Sequence, residues 1–182
     1  MNIGRAIAFT GHRLESLPFG ENEQSVGGIL IKAMLLTEII DRASKGVDTF
    51  YCGAARGSDI LFGEQVLWVK TTMYPAIRLI CVVPHEEQAR GWSEPWRERY
   101  FDLLERASDE VLISTNYTRD CYHRRNRYMV DHADVLLAVY NGSHTGGTAY
   151  TVTYARKAAR EIVLFNPDTI ERSVIPPGLG AI

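Results

Sequence analysis

The chain has 182 residues, of which 46% are hydrophobic and 23% are charged, and its formal net charge at pH 7 is -2. This length fits one domain with a substantial core, and the composition is typical of a soluble globular protein, neither disordered nor strongly basic. No run approaches the roughly 20 apolar residues of a membrane span, and the N-terminal residues lack a secretory signal pattern. We therefore expect a cytoplasmic protein without a membrane partner.

Strand-like and helix-like segments alternate along the chain. Apolar runs rich in β-branched and aromatic residues predict strands over 5–10, 48–53, 78–84, 133–140 and 161–166, with a possible sixth over 110–114. Helical patterns lie between them, over 23–46, 57–74, 93–109, 119–132 and 148–160. Because the strands are nearly continuously apolar, they are expected to be buried on both faces. The alternation predicts an α/β fold, a single-domain open doubly wound sheet that is mostly parallel with helices on both faces. We assign 1–170 to this domain and 171–182 to an irregular C-terminal arm.

The first strand runs into the turn "FTGHR" (9–13). In such sheets, ligands bind beyond the carboxyl ends of the strands, near the point where the strand order reverses. Gly11 permits a tight turn there, and His12 and Arg13 place hydrogen-bond donors at that edge. Taken alone, this stretch fits a ligand contact and a plain solvated turn equally well.

The second strand runs into "CGAARGSD" (52–59), which opens a helix with small residues. Such a turn lets backbone N–H groups and the positive end of the helix dipole face an anion. The spacing matches neither the dinucleotide-binding fingerprint nor a Walker loop. Ser58 and Asp59 fit a phosphate or ribose contact, and they also fit plain helix caps.

A third turn, "YNGSHTGGTAY" (140–150), leads into another helix start. Adjacent glycines weaken regular structure, so Gly146 and Gly147 need a reason to be there. Together with Asn141 and the hydroxyl of Thr148, they predict that a phosphorylated ligand lies against exposed backbone donors.

A basic segment over 119–127 precedes the strand at 133–140. Such a run is usually a solvated helix face. Arg125, however, lies four residues before Met129 and shares its helical face, so its guanidinium is a candidate to turn inward and clamp a phosphate.

Other residues indicate what is not expected. The five histidines do not fall at metal-ligand spacing, so we predict no metal site, and no cofactor is predicted. The three cysteines are too scattered for a disulfide framework and are expected to be reduced thiols. The helix over 23–46 is apolar around much of its circumference, which favours a homo-oligomer.

In combination, "TGHR", "CGAARGSD", "RRNRYMVDHADVLLAVYNG" and "GGTAYTVTYA" resemble the YpsA-like branch of the SLOG superfamily. This Rossmann-like group includes the DNA-processing protein DprA and the cytokinin-activating LOG enzymes, and the similarity runs from about Ala6 to Phe165. The resemblance implies a nucleotide or nucleotide-derived ligand. It implies ligand contacts at Gly11, Arg13, Gly53, Ala54, Gly57, Asp59, Arg125, Asn126, Asn141, Gly146, Gly147 and Thr148, to which the turns themselves add His12, Arg56 and Ser58.

The chain departs from the LOG pattern at one position. LOG-type enzymes carry a PGGxGTxxE motif whose glutamate acts in cleaving the bond between base and ribose, and alignment on Thr148 places Thr151 there. A threonine hydroxyl supplies neither a negative charge nor a base near neutral pH. Asp59 and Glu64 are the two carboxylates that we consider as replacements, and no catalytic residue is assigned firmly.

Three hypotheses follow. The first is a non-catalytic binder of a nucleotide or ADP-ribose-like ligand, acting as a sensor, regulator or sequestering protein. The second is a LOG-like hydrolase of nucleotide N-glycosidic bonds that uses Asp59 or Glu64. The third, given less weight, is binding of single-stranded DNA by analogy with DprA; nucleic acid is not expected as a partner, because only 119–127 is basic enough to follow a phosphate backbone.

Overall fold

A computed structural model describes residues 6–178 and has a seven-stranded sheet. The strands are β1 (Ala6–Gly11), β2 (Thr49–Cys52), β3 (Arg78–Val83), β4 (Asp109–Leu112), β5 (Val135–Val139), β6 (Glu161–Asn166) and β7 (Glu171–Ile175). The helices are α1 (Val26–Ser44), α2 (Ser58–Thr72), α3 (Glu94–Arg106), α4 (Cys121–Asp131) and α5 (Gly146–Lys157), with a short 3-10 turn over Leu14–Ser16. The strand order is β4-β3-β2-β1-β5-β6-β7, and β7 alone is antiparallel to its neighbour. The predicted α/β fold and each of its six strands are confirmed.

The sheet carries helices on both faces, as predicted. Buried side chains of α1, α2 and α3 pack on one face, where Phe9 of β1 stacks on Phe62 of α2 with ring centroids 4.3 Å apart. Buried side chains of α4 and α5 form the second cluster, on the opposite face. Because both faces are covered, the central strands are buried throughout, which explains their continuous apolarity in the sequence.

The strand order reverses beside β1. The chain builds β1 to β4 outward in one direction, then returns to place β5 on the other side of β1. Gly11 at the end of β1 pairs in register with Val139 at the end of β5, so the turns that follow these strands meet at one edge. Ligands bind at this switch point in open α/β sheets.

The prediction of an irregular arm over 171–182 is wrong for 171–175. This segment forms β7, which pairs with β6, and its Arg172 donates to Glu38 of α1 at 2.9 Å. The hydrophobic pattern did not predict this strand, because an exposed edge strand has no buried apolar face. Residues 179–182 lie outside the described part of the chain.

Helix α1 begins after Ser25, whose hydroxyl accepts a hydrogen bond from the Gly28 N–H at 3.2 Å. Its Ile31, Leu35 and Ile39 are buried, whereas Ile29 and Leu30 are exposed. The apolar circumference is therefore not fully buried within one chain, and the homo-oligomer stays a prediction. Over residues 6–178, no helix is both long and apolar enough to cross a membrane.

Candidate functional site

A cavity of about 420 Å³ opens at the switch point, beyond the carboxyl ends of β1 and β5. Its volume lies in the range of small-molecule sites. The helix layers on both faces of the sheet contribute to its wall. The lining residues are Thr10, Gly11, Arg13, Glu15, Ser16, Ala55, Asp59, Arg119, Tyr122, His123, Arg125, Asn126, Gly146, Gly147 and Thr148.

Arg125 is the buried cation of this cavity. It comes from α4, on the same face as the buried Met129, and only 6% of its surface is exposed. Its Nη1 lies 3.6 Å from Oδ2 of Asp59, which gives charge pairing at a distance too long for a hydrogen bond. Within residues 6–178, neither Nε nor Nη1 has a hydrogen-bond partner. A buried guanidinium with free N–H groups is costly, because a buried donor normally has an acceptor.

The turn after β2 packs directly against this guanidinium. Gly53 lies so close to Arg125 that a Cβ added at Gly53 would be 1.5 Å from Nη1 and 2.8 Å from Oδ2 of Asp59. The next residue, Ala54, adopts a left-handed conformation with φ +48 and is fully buried. The Arg125–Asp59 pair therefore requires a residue without a side chain at position 53, and Ala54 adopts a backbone conformation that is uncommon for a residue with a side chain.

Residues of the turn after β1 have two roles: some line the cavity, and others connect this turn to its neighbours. Arg13 lines the cavity, with its Cζ 5.6 Å from the centre of the Tyr122 ring, and Arg125 approaches the same ring at 6.0 Å. His12 is buried and does not line the cavity. Its Nε2 accepts from the backbone N–H of Asn141 at 3.2 Å and lies 2.8 Å from Oδ1 of that residue. His12 and Asn141 thus join the first turn to the third.

Helix α2 begins with residues that support the turns. Gly57 precedes the helix with φ +108, and the Ser58 hydroxyl donates to the His12 carbonyl at 2.8 Å. Arg56 pairs with Glu15 at the rim of the cavity. Ser58 therefore links two turns, and its hydroxyl neither caps α2 nor lines the cavity.

The third turn brings the N-terminus of α5 to the cavity. Gly146, Gly147 and Thr148 all line it, and Gly146 has φ +94, a conformation that favours glycine. The N-terminal N–H groups of a helix attract anions, and those of α5 border the cavity from the side opposite α2.

The cavity therefore contains eight of the fifteen residues predicted as ligand contacts, namely Gly11, Arg13, Asp59, Arg125, Asn126, Gly146, Gly147 and Thr148. The other seven pack behind or beside it: His12, Gly53, Ala54, Arg56, Gly57, Ser58 and Asn141. Seven further residues line the cavity without having been predicted as ligand contacts: Thr10, Glu15, Ser16, Ala55, Arg119, Tyr122 and His123. Of these, Arg119 and His123 belong to the basic segment over 119–127, which is the sequence signal that could have identified them.

The residue at the LOG glutamate position is committed to internal hydrogen bonds. Thr151 is fully buried; its hydroxyl donates to the Gly147 carbonyl at 2.7 Å and accepts from Nδ2 of Asn126 at 2.7 Å. It does not line the cavity. Position 151 thus joins α5 to α4 and presents no carboxylate to a ligand.

Of the two candidate carboxylates, the structure brings only Asp59 to the cavity. Glu64 lies further along α2, where it accepts two hydrogen bonds from Arg99 of α3, at 2.7 and 2.6 Å. It is not among the lining residues. The candidate role of Glu64 as a replacement acid has no geometric support, because its carboxylate is engaged between two helices.

Burial raises the pKa of Asp59 to about 6, although Arg125, the Ala55 N–H and Arg13 all act to lower it. The folded protein therefore holds a proton on Asp59 between pH 3.8 and about 6, where the unfolded chain has released it. Stability contributed by this group is present at low pH and lost as the pH rises through about 6. Over the full window this amounts to about 3 kcal/mol.

Urea denaturation of the wild type and Asp59→Asn at several pH values tests this pKa. We expect the free energy of unfolding of the wild type, relative to Asp59→Asn, to fall by about 2 to 3 kcal/mol from pH 4 to pH 7. Asp102→Asn, which removes an exposed carboxylate paired with Arg106, serves as the control and is expected to show little pH-dependent difference. A difference that rises with pH would mean that the ion pair with Arg125 outweighs burial.

Among the described residues, no group of three or more His, Cys, Asp and Glu side chains is arranged to hold a metal ion. The three cysteines, Cys52, Cys81 and Cys121, are buried free thiols. Burial raises the pKa of Cys52 and Cys81, which disfavours their reactive thiolate form.

Sequence comparison identifies the family. The profile of the YspA SLOG family matches residues 7–170, which is most of the chain. The chain belongs to this family. It is 29% identical over 175 residues to the UPF0398 protein BH1768 of Halalkalibacterium halodurans, covering 92% of this chain and 90% of that protein. A UPF0398 protein of Bacillus thuringiensis strain Al Hakam is 26% identical over 155 residues, covering 84% of this chain and 83% of that protein.

Two solved structures share the fold of this SLOG protein. DNA processing protein A from Helicobacter pylori, which binds single-stranded DNA, superposes with a TM-score of 0.58 at 16% identity. The superposition covers 87% of this chain and 64% of that one, so this chain spans less than two thirds of its length. The structural genomics target TM1055 gives a TM-score of 0.53 at 17% identity, covering 86% of this chain and 71% of the other. At these identities the likeness concerns the fold alone.

Proposed function

We propose that this SLOG protein binds a nucleotide or a nucleotide-derived, ADP-ribose-like ligand and acts as a sensor, regulator or sequestering protein. The observation that carries this proposal is Arg125, a buried guanidinium in the cavity wall whose Nε and Nη1 have no hydrogen-bond partner in the described part of the chain. A phosphate oxygen would satisfy these N–H groups with charge-assisted hydrogen bonds.

Two further features support an anionic ligand. The N-terminus of α5, with Gly146 and Gly147, lies at the same cavity and contributes backbone donors. Arg13 and Arg119 add two more cations to the wall, whereas Glu15 is paired with Arg56. Tyr122 and His123 supply flat surfaces of the kind on which a base or sugar packs.

A binder fits the site better than a LOG-like hydrolase does. Cleavage of an N-glycosidic bond passes through an oxocarbenium-like state that a carboxylate stabilises. Thr151 supplies none, and Glu64 is held by Arg99. Asp59 keeps the hydrolase open as the second candidate function, because it lines the cavity and its raised pKa of about 6 suits proton transfer near neutral pH.

Single-stranded DNA is the third candidate ligand. The specific observation in its favour is a surface stack at the cavity, in which the ring centroids of His123 and Tyr150 are 4.1 Å apart. The exposed Arg119 and Arg124 lie on the same segment of the chain as His123. Base stacking combined with arginines is the usual basis of such binding. A fluorescent oligonucleotide that binds with a steep loss of affinity on adding salt would favour this candidate.

Native mass spectrometry of freshly purified protein, followed by calorimetric titration with ADP-ribose, tests the proposal. We expect either a co-purified nucleotide derivative or saturable binding of ADP-ribose, with the ligand recovered intact after long incubation. Release of a free base together with the remaining phosphorylated sugar, abolished in Asp59→Asn, would establish the hydrolase instead. An empty protein that binds neither ADP-ribose nor inorganic pyrophosphate would overturn the nucleotide proposal.

A further inference from the structure

The buried polar atoms without partners are concentrated behind one side of the cavity. Over residues 6–178, six buried side-chain nitrogen or oxygen atoms lack a hydrogen-bond partner. Four of them lie here: Nδ1 of His85, Oε1 of Gln88, and Nε and Nη1 of Arg125. Unpaired buried polar atoms are destabilising, so their clustering at one place needs an explanation.

Side-chain contacts connect these three residues. Nε2 of Gln88 donates to the carbonyls of Gly53 and Ala54, at 3.3 and 3.1 Å. Gly53 in turn packs against the Arg125 guanidinium. Nε2 of His85 lies 3.4 Å from the hydroxyl of Tyr122, whose ring also faces Arg125. His85 is 6% exposed and Gln88 is 5% exposed. They form a buried polar row; neither residue lines the cavity, but Tyr122, which contacts His85, does.

The chemistry of this row differs from that of the anion site. The N–H groups of Arg125 need an acceptor, Oε1 of Gln88 needs a donor, and Nδ1 of His85 takes either, depending on its tautomer. A phosphate oxygen is an acceptor only and leaves Gln88 unsatisfied. A hydroxyl group is both donor and acceptor, so adjacent hydroxyls can satisfy Gln88 and His85 while the N–H groups of Arg125 bind the phosphate.

We infer that His85 and Gln88, beside the phosphate-binding Arg125, form a subsite that binds sugar hydroxyl groups of the ligand. This inference rests on the proposed binding of a nucleotide-derived ligand. Entry to the subsite requires the half-buried Tyr122 ring to turn aside. At 3.4 Å its hydroxyl contact with His85 is longer than an ordinary O–H hydrogen bond, so little is lost when the ring moves.

The test uses His85→Phe, which keeps an aromatic ring against Tyr117 and Tyr122 and removes both ring nitrogens. Calorimetry measures its affinity for ADP-ribose, ribose 5-phosphate and inorganic pyrophosphate. We expect about a 5- to 10-fold loss for the two sugar-bearing probes, as for one lost hydrogen bond, and no change for pyrophosphate. His132→Phe, at the exposed end of α4, is the matched control and should bind all three probes as the wild type does.

The alternatives give different results. If the row binds ordered water only, His85→Phe binds every probe unchanged and the inference is overturned. If His85 is merely structural, the variant has a lower Tm without ligand and loses affinity for pyrophosphate as well. A loss for ADP-ribose alone, with ribose 5-phosphate unchanged, would assign the row to the base instead of the sugar. Wild-type protein that binds pyrophosphate but neither sugar probe overturns the subsite alone, whereas binding of none of the three overturns the proposed function.

Discussion

Replacing Arg125 by methionine is expected to weaken the binding of ADP-ribose by at least about 100-fold. Nε and Nη1, the two guanidinium nitrogens without a hydrogen-bond partner among residues 6–178, would each form a charge-assisted hydrogen bond with the ligand. Each such bond contributes about 1.5 to 3 kcal/mol, so losing both removes about 3 kcal/mol or more. Calorimetric titration measures this change directly.

The fold is expected to tolerate Arg125→Met. Removal of the cation leaves the buried Asp59 without its charge partner, but Arg125 is among the groups that hold the pKa of Asp59 down. Without it, the pKa of Asp59 rises further and the side chain takes up a proton near neutral pH, which avoids an unpaired buried charge. Arg127→Met, two residues along α4 and outside the cavity lining, is the matched control. Equal loss of affinity in both variants would mean that the helix as a whole attracts the ligand through its charge.

Gly53→Ala is expected to abolish most binding without contacting the ligand. The added Cβ would occupy the position of the guanidinium, 1.5 Å from Nη1 and 2.4 Å from Cζ of Arg125. Because the atoms that must move are the far end of a flexible side chain, the fold should lose only about 1 kcal/mol, at the low end for overpacking. The displaced Arg125 can no longer present its N–H groups, so we expect the affinity for ADP-ribose to fall about 10- to 100-fold.

A double-mutant cycle separates this mechanism from general damage. If Gly53→Ala acts through Arg125, it should have almost no further effect on binding in the Arg125→Met background. Gly91→Ala is the control, since a Cβ at Gly91 meets no atom within 4 Å. Additive losses in the double variant would show that Gly53 contributes to binding by another route.

The fold was largely predictable because its central strands are buried on both faces and its helices alternate with them. The strand that escaped prediction, β7, is exposed and charged, and only its pairing with β6 defines it. Hydrophobic periodicity reports burial, so it cannot identify an element held mainly by backbone pairing at an edge.

The site was predicted in outline at the level of turns and less well at the level of side chains. Arg125 could be picked out because it shares a helical face with Met129, and the structure buries both. His85 and Gln88 gave no such signal. They follow β3 in "PHEEQ" (84–88), which contains no glycine to indicate a close approach to the backbone. The sequence also left Ser58 undecided between capping a helix and binding a ligand. In the structure its hydroxyl donates to the carbonyl of His12, 46 positions away, and no local sequence pattern encodes such a contact.

The hydrogen bond between Asn126 and Thr151 has a mechanical consequence. It links the helix that carries Arg125 to the helix that begins with Gly146, and both helices pack on the same side of the sheet. Asp59 and Arg13 belong to the opposite side, with α2 and the turn after β1. A ligand that touches both sides acts as a cross-link between two helical layers. Its binding should therefore slow amide hydrogen exchange in α2 and α5 together. Exchange rates on both faces of the sheet would then depend on whether the cavity is occupied.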